Sequence, residues 1–453
     1  MRYGHYNILR RNAQVLWGKI QKYFTKIKFL PYFYLHLGVK IVEKVKKLIV
    51  LYLICFWDDD IIIVYNLKLR RYGMTAKKPP MGWNTWNTFG DKIDETLVRE
   101  TADFIVDSGL REAGYEYVVI DDCWSELERD ENGRLVADKT KFPSGMKALA
   151  DYIHSKGLKF GMYSCCGALT CAGYPGSYDH EYIDAMTFAE WGVDFLKYDF
   201  CYHTGTLEGK YFYRRMGAAL ANCGRDIVFS ACSWGMEETQ EWVKTTGAHL
   251  WRSTHDIQNS WASIKSITKQ QERLVAYNGH GCFNDMDMLV VGMDGQSFID
   301  GFWQTNGCSE LDHKTHFSIW CMYGSPLMIG CDIRKMSEGA KAILTNKDAI
   351  AINQDGAYNQ VYRLTLDRGP EDALVCARLL ENGDFAVGVF NLMDSEYRFV
   401  FGFDEMGITT HCGKKIELTE VWTGEAERVV NGTVNTVVEG HGCKLYRLKL
   451  IEK

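Results

Sequence analysis

Trp191-Gly192-Val193-Asp194-Phe195-Leu196-Lys197-Tyr198-Asp199-Phe200-Cys201 carries a helix stop, a buried strand and a strand-end carboxylate in one run. The glycine ends a helix read over 180–190. Val193 to Tyr198 supplies the apolar stretch of a strand covered on both faces. Asp199, backed by Lys197, sits where that strand meets the sheet's edge. A lone strand-end Asp is most often a cap or turn residue, so its meaning depends on what the rest of the chain brings beside it.

The same unit recurs on either side. Asp94 caps a helix whose Leu97, Val98, Phe104 and Ile105 share a face and which stops at Gly109, before a strand at 117–120 that ends in Asp121-Asp122. Ser144 precedes the stripe Met146, Leu149, Ala150 and Ile153; Gly157 and a strand at 159–163 follow. Helix 208–222 leads through Gly224 to a strand at 227–230, and helix 237–244 through Gly247 to a strand at 249–252. Repeated βα units build a parallel sheet covered by helices. No Gly-rich phosphate loop follows the first strand, which disfavours a dinucleotide-binding doubly wound sheet. Polar residues at nearly every strand end favour an α/β fold of the (β/α)8 TIM-barrel type over 74–360, its site on the C-terminal face.

After about residue 360 the pattern changes. Ala373–Leu379 and Phe385–Phe390 flank Glu381-Asn382-Gly383-Asp384, a hairpin signal. Further short strands read at 416–422, 434–438 and 444–450, giving a C-terminal antiparallel β-sandwich over 361–453. Residues 1–73 are rich in Lys and Arg with no steady apolar period, and read as a non-globular N-terminal extension. Asp58-Asp59-Asp60 interrupts the apolar Leu48–Trp57 before Ile61–Val64, so neither piece spans a bilayer. No leader-like segment with a cleavage site is legible, and Met74 reads as a natural start. The expected location is cytoplasmic.

The formal net charge of -6 argues against nucleic acid as a partner. Fifteen cysteines, with Cys165 and Cys166 adjacent, do not resemble a disulfide framework, and no pair of CxxC motifs suggests structural zinc. Clusters instead collect at the expected catalytic face: Trp83 with Trp86, Asp121-Asp122, Tyr163 with Cys171, Lys197 with Asp199, Arg252 with Asp256, and Asp285 with Asp287. So many carboxylates at one rim are costly without a polar ligand or a metal. Two of them on different strand ends, Asp199 and Asp256, are the minimum equipment for cleaving a glycosidic bond. Two other classes stay open on the residues alone: a metal-dependent barrel using His180, His203 and His255, and a non-catalytic sugar-binding barrel.

The motifs Met81-Gly82-Trp83-Asn84-Thr85-Trp86, Asp121-Asp122-Cys123-Trp124, Cys171-Ala172-Gly173-Tyr174-Pro175-Gly176-Ser177, Trp191 to Asp199, Trp251-Arg252 with Asp256, and Ile350-Ala351-Ile352-Asn353-Gln354-Asp355 resemble glycoside hydrolase family 27. This family comprises α-galactosidases and α-N-acetylgalactosaminidases, and the resemblance spans about 79–453. It implies a retaining mechanism with Asp199 as nucleophile and Asp256 as acid/base, without metal or organic cofactor. It implies Asp121 and Asp122 on the sugar's 6- and 4-hydroxyls and Trp86 against the ring's apolar face. Tyr163, Cys171, Lys197, Arg252 and Asp287 would hold hydroxyls or border and orient the carboxylates. Lys197 is expected to keep Asp199 ionised, and anionic Asp199 to favour the proton on Asp256. Cys171 and Cys201 match a disulfide of secreted relatives; here they are expected close together but reduced. Cys165 departs from a family Asp, and Met286 from a family Pro. Ser233 stands where typical α-galactosidases place a Glu on the 2-hydroxyl, and Met236 stands at a second contact to that substituent. The expected partner is an α-galactoside oligosaccharide or glycoconjugate, with N-acetylgalactosamine as the alternative sugar. No nucleic acid or membrane partner is expected, and a homo-oligomer is compatible with the reading.

Overall fold

The computed structural model describes residues 76–294, 307–364, 369–409, 413–429 and 432–452, and the backbone alone of short strands at 52–53, 65–66, 297–299 and 302–304. Contacts divide the chain into two units, 1–73 and 74–453. In the first, Tyr52–Leu53 pairs antiparallel with Tyr65–Asn66; the remainder of the expected extension lies outside the described residues. No helix among the described residues is long and apolar enough to cross a membrane.

In the second unit eight parallel strands follow one another around a sheet: β1 (Met81–Asn84), β2 (Tyr117–Val119), β3 (Lys159–Cys165), β4 (Phe195–Asp199), β5 (Val228–Cys232), β6 (Leu250–Arg252), β7 (Phe283–Asp285) and β8 (Leu327–Ile329). β8 pairs with β1 through Leu327↔Met81. β7 reaches β8 just past its own end, through the parallel bridge Leu289↔Ile329, so the eight strands close as a TIM barrel. The βα rhythm has local causes. Asp94 accepts a hydrogen bond from the Leu97 amide at 2.7 Å and starts helix Glu95–Asp107. Gly192, at φ 86°, ends helix Glu181–Trp191 in the left-handed conformation that costs glycine least.

Successive strand residues face opposite ways. Val118, Phe160, Leu196, Tyr198, Phe229 and Trp251 pack outward in the large core shared with the helices. Tyr117, Val119, Phe195, Val228, Leu250, Phe283, Met288 and Met328 fill the lumen. Both sides of each strand are therefore apolar until its C-terminal end.

The C-terminal part is antiparallel. One sheet runs in the order Tyr362–Arg363, Ala373–Leu379, Phe385–Asn391, Cys443–Glu452, Lys414–Glu420, Ala426–Val429; a second pairs Tyr397–Gly402 with Thr433–Val438. Val375, Val387, Val389, Phe399, Phe401, Leu418 and Leu448 form the core between them, a β-sandwich as expected. The expected hairpin is present, with Gly383 at φ 86° and the Leu380 amide donating to the Asp384 carbonyl at 2.8 Å.

Strand Ala373–Leu379 serves two cores by the same alternation. Val375 and Ala377 enter the sandwich, while Leu374 and Cys376 join the barrel's core. Arg378, 2% exposed, reaches the carbonyls of Ile352 at 3.3 Å and Met322 at 3.5 Å. Those carbonyls end helices Lys347–Asn353 and Glu310–Tyr323, where a cation meets the negative poles of two helices. Arg378→Ala removes this contact and leaves a cavity. The expected outcome is a loss of roughly 2–4 kcal/mol in urea unfolding, and an unchanged midpoint would show that the junction does not depend on it.

Candidate active site

The lumen parity decides which side chains meet. Register aligns Tyr163 of β3 with Lys197 of β4 and Ser230 of β5, and, one layer nearer the C-terminal face, Cys165 with Asp199 and Cys232. Arg252 stands opposite Asp285 across β6 and β7. Strand ends thus deliver polar groups into a cleft of about 410 Å³ lined by Trp86, Asp121, Asp122, Tyr163, Cys171, Lys197, Asp199, Trp234, Arg252, Asp256 and Asp287, with Asn87 and Met288. All the expected site residues except Ser233 and Met236 are in that wall.

Lys197 does not pair with Asp199. Its Nζ donates to Asp121 Oδ2 at 2.9 Å, and Asn84 Nδ2 donates to the same oxygen at 2.8 Å. Asp122 is fixed by backbone amides, accepting from Cys123 at 2.7 Å and Ala172 at 2.9 Å. Asp199 accepts from the Tyr163 hydroxyl at 3.1 Å and from the Phe200 amide at 3.0 Å. Arg252 bridges two acids: one nitrogen lies 2.6 Å from Asp256 Oδ1 and another 3.0 Å from Asp287 Oδ1. Asp287, at φ 84°, also accepts from the Ile257 amide at 2.7 Å. Its backbone carbonyl takes the Trp320 indole N–H at 2.8 Å.

This wiring sets the protonation of the pair, and it corrects the expected order. Burial pushes Asp199 up to about 6, against the pull of Lys197 and with a further rise from Asp256. For Asp256 desolvation also raises the pKa, but Arg252 and Lys197 outweigh it and hold the carboxyl below its usual range. Its side chain is 57% exposed, so water screens part of that attraction. In the ligand-free cleft the proton is therefore favoured on Asp199, and Lys197 falls short of keeping Asp199 at an ordinary carboxylate value. Burial likewise raises Asp122, and pushes Asp287 to about 6 despite Arg252.

Two loops close one side of the cleft. Cys171 and Cys201 are close, as expected, with Cα atoms 5.2 Å apart, but they are joined by a disulfide instead of standing as the expected free thiols, and Cys171 Sγ lies 3.6 Å from Asp199 Oδ2. Cys165 is buried beside them, its thiol donating to the Cys201 carbonyl at 3.1 Å.

Comparison with known proteins agrees with this geometry. Residues 78–355 match the family model described as α-galactosidase A, and 371–448 the model of the α-galactosidase C-terminal β-sandwich domain. The chain belongs to the α-galactosidase family, glycoside hydrolase family 27. It is similar to an α-galactosidase of Cyamopsis tetragonoloba, 41% identical over 85% of this chain and 89% of that one. Among solved structures it resembles α-galactosidase I of Mortierella vinacea, 31% identical with a TM-score of 0.77 over 85% of this chain and 100% of that one. It also resembles the Saccharomyces cerevisiae α-galactosidase solved with raffinose, 29% identical with a TM-score of 0.74 over 83% and 98% of the two chains.

Within this family fold, the structure does not place Ser233 and Met236 in the cleft. Val228 and Ser230 face the lumen, so Cys232 does too, and Ser233 points away. It is 0% exposed and paired with Thr239 at 2.5 Å. Met236 is 43% exposed, outside the wall. The wall is made instead by Trp234, on the lumen parity of Ser230 and Cys232; alternation finds it only once that parity is set by the pairing of β5 with β4. The helix expected over 237–244 is also broken, into a 3-10 turn at 236–238, a short helix Thr239–Trp242 and a second 3-10 turn at 243–246. The histidines of the metal reading are not gathered. His180 and His203 bond to nearby carbonyls, and His255 is exposed. Among the described residues the one cluster spaced for a metal is Cys171, Asp199 and Cys201, two of which are bonded to each other.

Lys197 lowers the Asp199 pKa but has no comparable hold on Asp287. Lys197→Met is therefore expected to move the Asp199 titration upward from about 6 while the Asp287 titration stays near its wild-type position. Carboxyl carbon NMR of aspartate-labelled protein reads both; an Asp199 midpoint unmoved or lowered would contradict this wiring.

Proposed function

We propose that this chain is a retaining exo-acting α-galactosidase that hydrolyses terminal non-reducing α-D-galactosyl residues. The observation that carries this reading is the convergence of Asp199 and Asp256, from the ends of β4 and β6, in one cleft with Lys197 and Arg252. Asp199 attacks the anomeric carbon while Asp256 gives its proton to the departing oxygen; a glycosyl-enzyme forms, and Asp256 then takes a proton from the incoming water. Tyr163 and the Phe200 amide, already bonded to Asp199, hold the nucleophile in place. Asp121 and Asp122, both locked by other bonds, are aimed at the 6- and 4-hydroxyls, and Trp86 at the ring's apolar face. The anionic cleft favours the positive charge that grows on the sugar in the transition state. Raffinose in the yeast relative's structure supports an oligosaccharide with a terminal galactose as substrate.

The second reading is an α-N-acetylgalactosaminidase. Ser233 suggests it in the sequence, because a short residue there makes room for an acetamido group. Against it, this segment contributes the bulky Trp234 to the wall while Ser233 is fully buried outside it, so the room that a short residue would make does not open into the cleft.

Asp199→Asn is expected to abolish turnover, since no glycosyl-enzyme can form. Asp256→Asn is expected to lose roughly 10²–10⁴-fold, less on aryl galactosides with good leaving groups, and to be rescued by azide with retained configuration. An inverted product from the wild-type enzyme would sink the mechanism.

The pH profile of kcat/KM should be bell-shaped. The working pair holds one proton. Above the raised value of about 6 the pair loses that proton and lacks an acid. Below the lowered Asp256 value, under 3.8, both groups are protonated and the nucleophile is lost. The optimum therefore lies on the acid side of neutrality; a rate still rising through pH 7 would contradict it.

A further inference from the structure

The segment that carries Trp234 is held in an unusual conformation. Trp234, Gly235, Glu237 and Glu238 have φ of 55°, 76°, 53° and 51°, the left-handed region that side-chain-bearing residues avoid. Such runs persist only where their surroundings over-determine them, and here the constraints can be named. Gly235 donates to the Arg252 carbonyl at 3.0 Å and packs so closely on Ser253 that a Cβ would lie 2.3 Å from its carbonyl oxygen. Thr239 Oγ1 bonds the Met236 carbonyl at 2.5 Å. The Trp242 indole donates to the Glu237 carbonyl at 2.9 Å. The Glu237 carboxylate accepts from the Gly209 amide at 2.6 Å, the first residue of helix Gly209–Asn222. Gly209 in turn lies against Phe200, the neighbour of Asp199; a Cβ there would come within 2.9 Å of the Phe200 ring and 3.1 Å of Glu237 Oε2. Phe200 meets Trp234 edge to face, ring centres 6.4 Å apart.

We propose that Glu237 is a positioning residue for Trp234. Its carboxylate ties the left-handed run to the amino end of the helix, and this tie keeps the Trp234 ring in the wall of the sugar cleft. The wall's position sets how large a substituent the substrate can carry on that side. The inference rests on the α-galactosidase reading and goes past it, because it places control of that wall in a residue outside the cleft. The favourable meeting of a negative charge with a helix N-terminus explains why an acid stands there, although the local backbone disfavours any side chain.

The test compares Glu237→Ala, Glu237→Ser, Glu237→Gln and Gly209→Ala with the wild-type enzyme. Substrates are an aryl α-galactoside and its N-acetylamino analogue. Glu237→Ala should raise KM for the galactoside roughly three- to tenfold with kcat held within about twofold, and shift the kcat/KM ratio toward the N-acetylated sugar by about tenfold. Glu237→Gln keeps an acceptor oxygen and should restore most of the KM. Gly209→Ala crowds the same carboxylate and should reproduce the shift, but it also crowds the Phe200 ring; if Glu237→Ala does not fold, Glu237→Ser, which removes the carboxylate and leaves Phe200 untouched, decides the matter. Folded Glu237→Ala and Gly209→Ala enzymes with wild-type KM and ratio would overturn the proposal. A wild-type enzyme inactive on both sugars would instead strike the galactosidase reading. The crystal structure of Glu237→Ala then judges the clamp by itself: a displaced Trp234 ring supports it and an unmoved ring refutes it.

Discussion

Two cations, Lys197 and Arg252, share the wall of one cleft with Asp121, Asp122, Asp199, Asp256 and Asp287. That imbalance of buried charge governs the site. Each cation is already engaged, Lys197 by Asp121 and Arg252 by Asp256 and Asp287, so the remaining carboxylates must rely on amide donors or hold a proton. Burial raises Asp199 to about 6, and raises Asp287 to about 6 even with Arg252 beside it. A polar ring with several hydroxyl donors, and positive charge developing at its anomeric carbon, is the kind of guest that relieves this arrangement. The same wiring makes the reactive protonation state, with the proton on Asp256, the minor one in the ligand-free cleft. The two acids are best treated as a pair that holds one proton between them.

The barrel supports that arrangement from beneath and the sandwich supports it from behind. Helix Glu310–Tyr323 is the link. The Trp422 indole, from the sandwich, donates to Ser318 on this helix at 3.1 Å, and Arg378 reaches the Met322 carbonyl near its end. Trp320 on the same helix donates to the Asp287 carbonyl, and Asp287 holds Arg252. A short chain of buried contacts thus runs from the antiparallel part of the molecule to the acid/base side of the cleft. His441 adds a second tie, standing between Asp312 of that helix and Asp394, with its ring stacked on Trp261.

Much of this is legible in the sequence. Strands with two buried faces read as continuous apolar runs, and helix stops at Gly109, Gly157, Gly192, Gly224 and Gly247 punctuate them, so the βα order and the strand-end positions of Asp121, Asp199 and Arg252 followed from period and turn chemistry. The βα rhythm marks five of the barrel's strands and not the short β1, β7 and β8; in the sandwich, Tyr397–Gly402 and Ala426–Val429 are left out. The second is mostly exposed and carries little apolar signal, whereas the first places Tyr397, Phe399 and Phe401 on one face toward the sandwich core, an alternation that marks a strand. The break in the helix at 236–246 has another reason: Glu237 and Glu238 look like good helix formers, and tertiary contacts, among them the packing of Gly235 on Ser253 and the bond of Glu237 to the Gly209 amide, hold them out of the helical region.

Sequence alone determined the architecture and nearly all of the side chains in the cleft, because burial patterns and strand ends are local properties with short periods. Tertiary structure decided three things that no local pattern encodes. It put Trp234 rather than Ser233 in the wall, because the lumen-facing parity of β5 is set by pairing with β4. It gave Lys197 to Asp121 instead of Asp199, because that choice depends on the distance between β2 and β4 across the barrel. It also set which member of the acid pair is easier to protonate, because a pKa in a buried cleft depends on every charge within a few ångströms, and those charges arrive from the ends of four different strands.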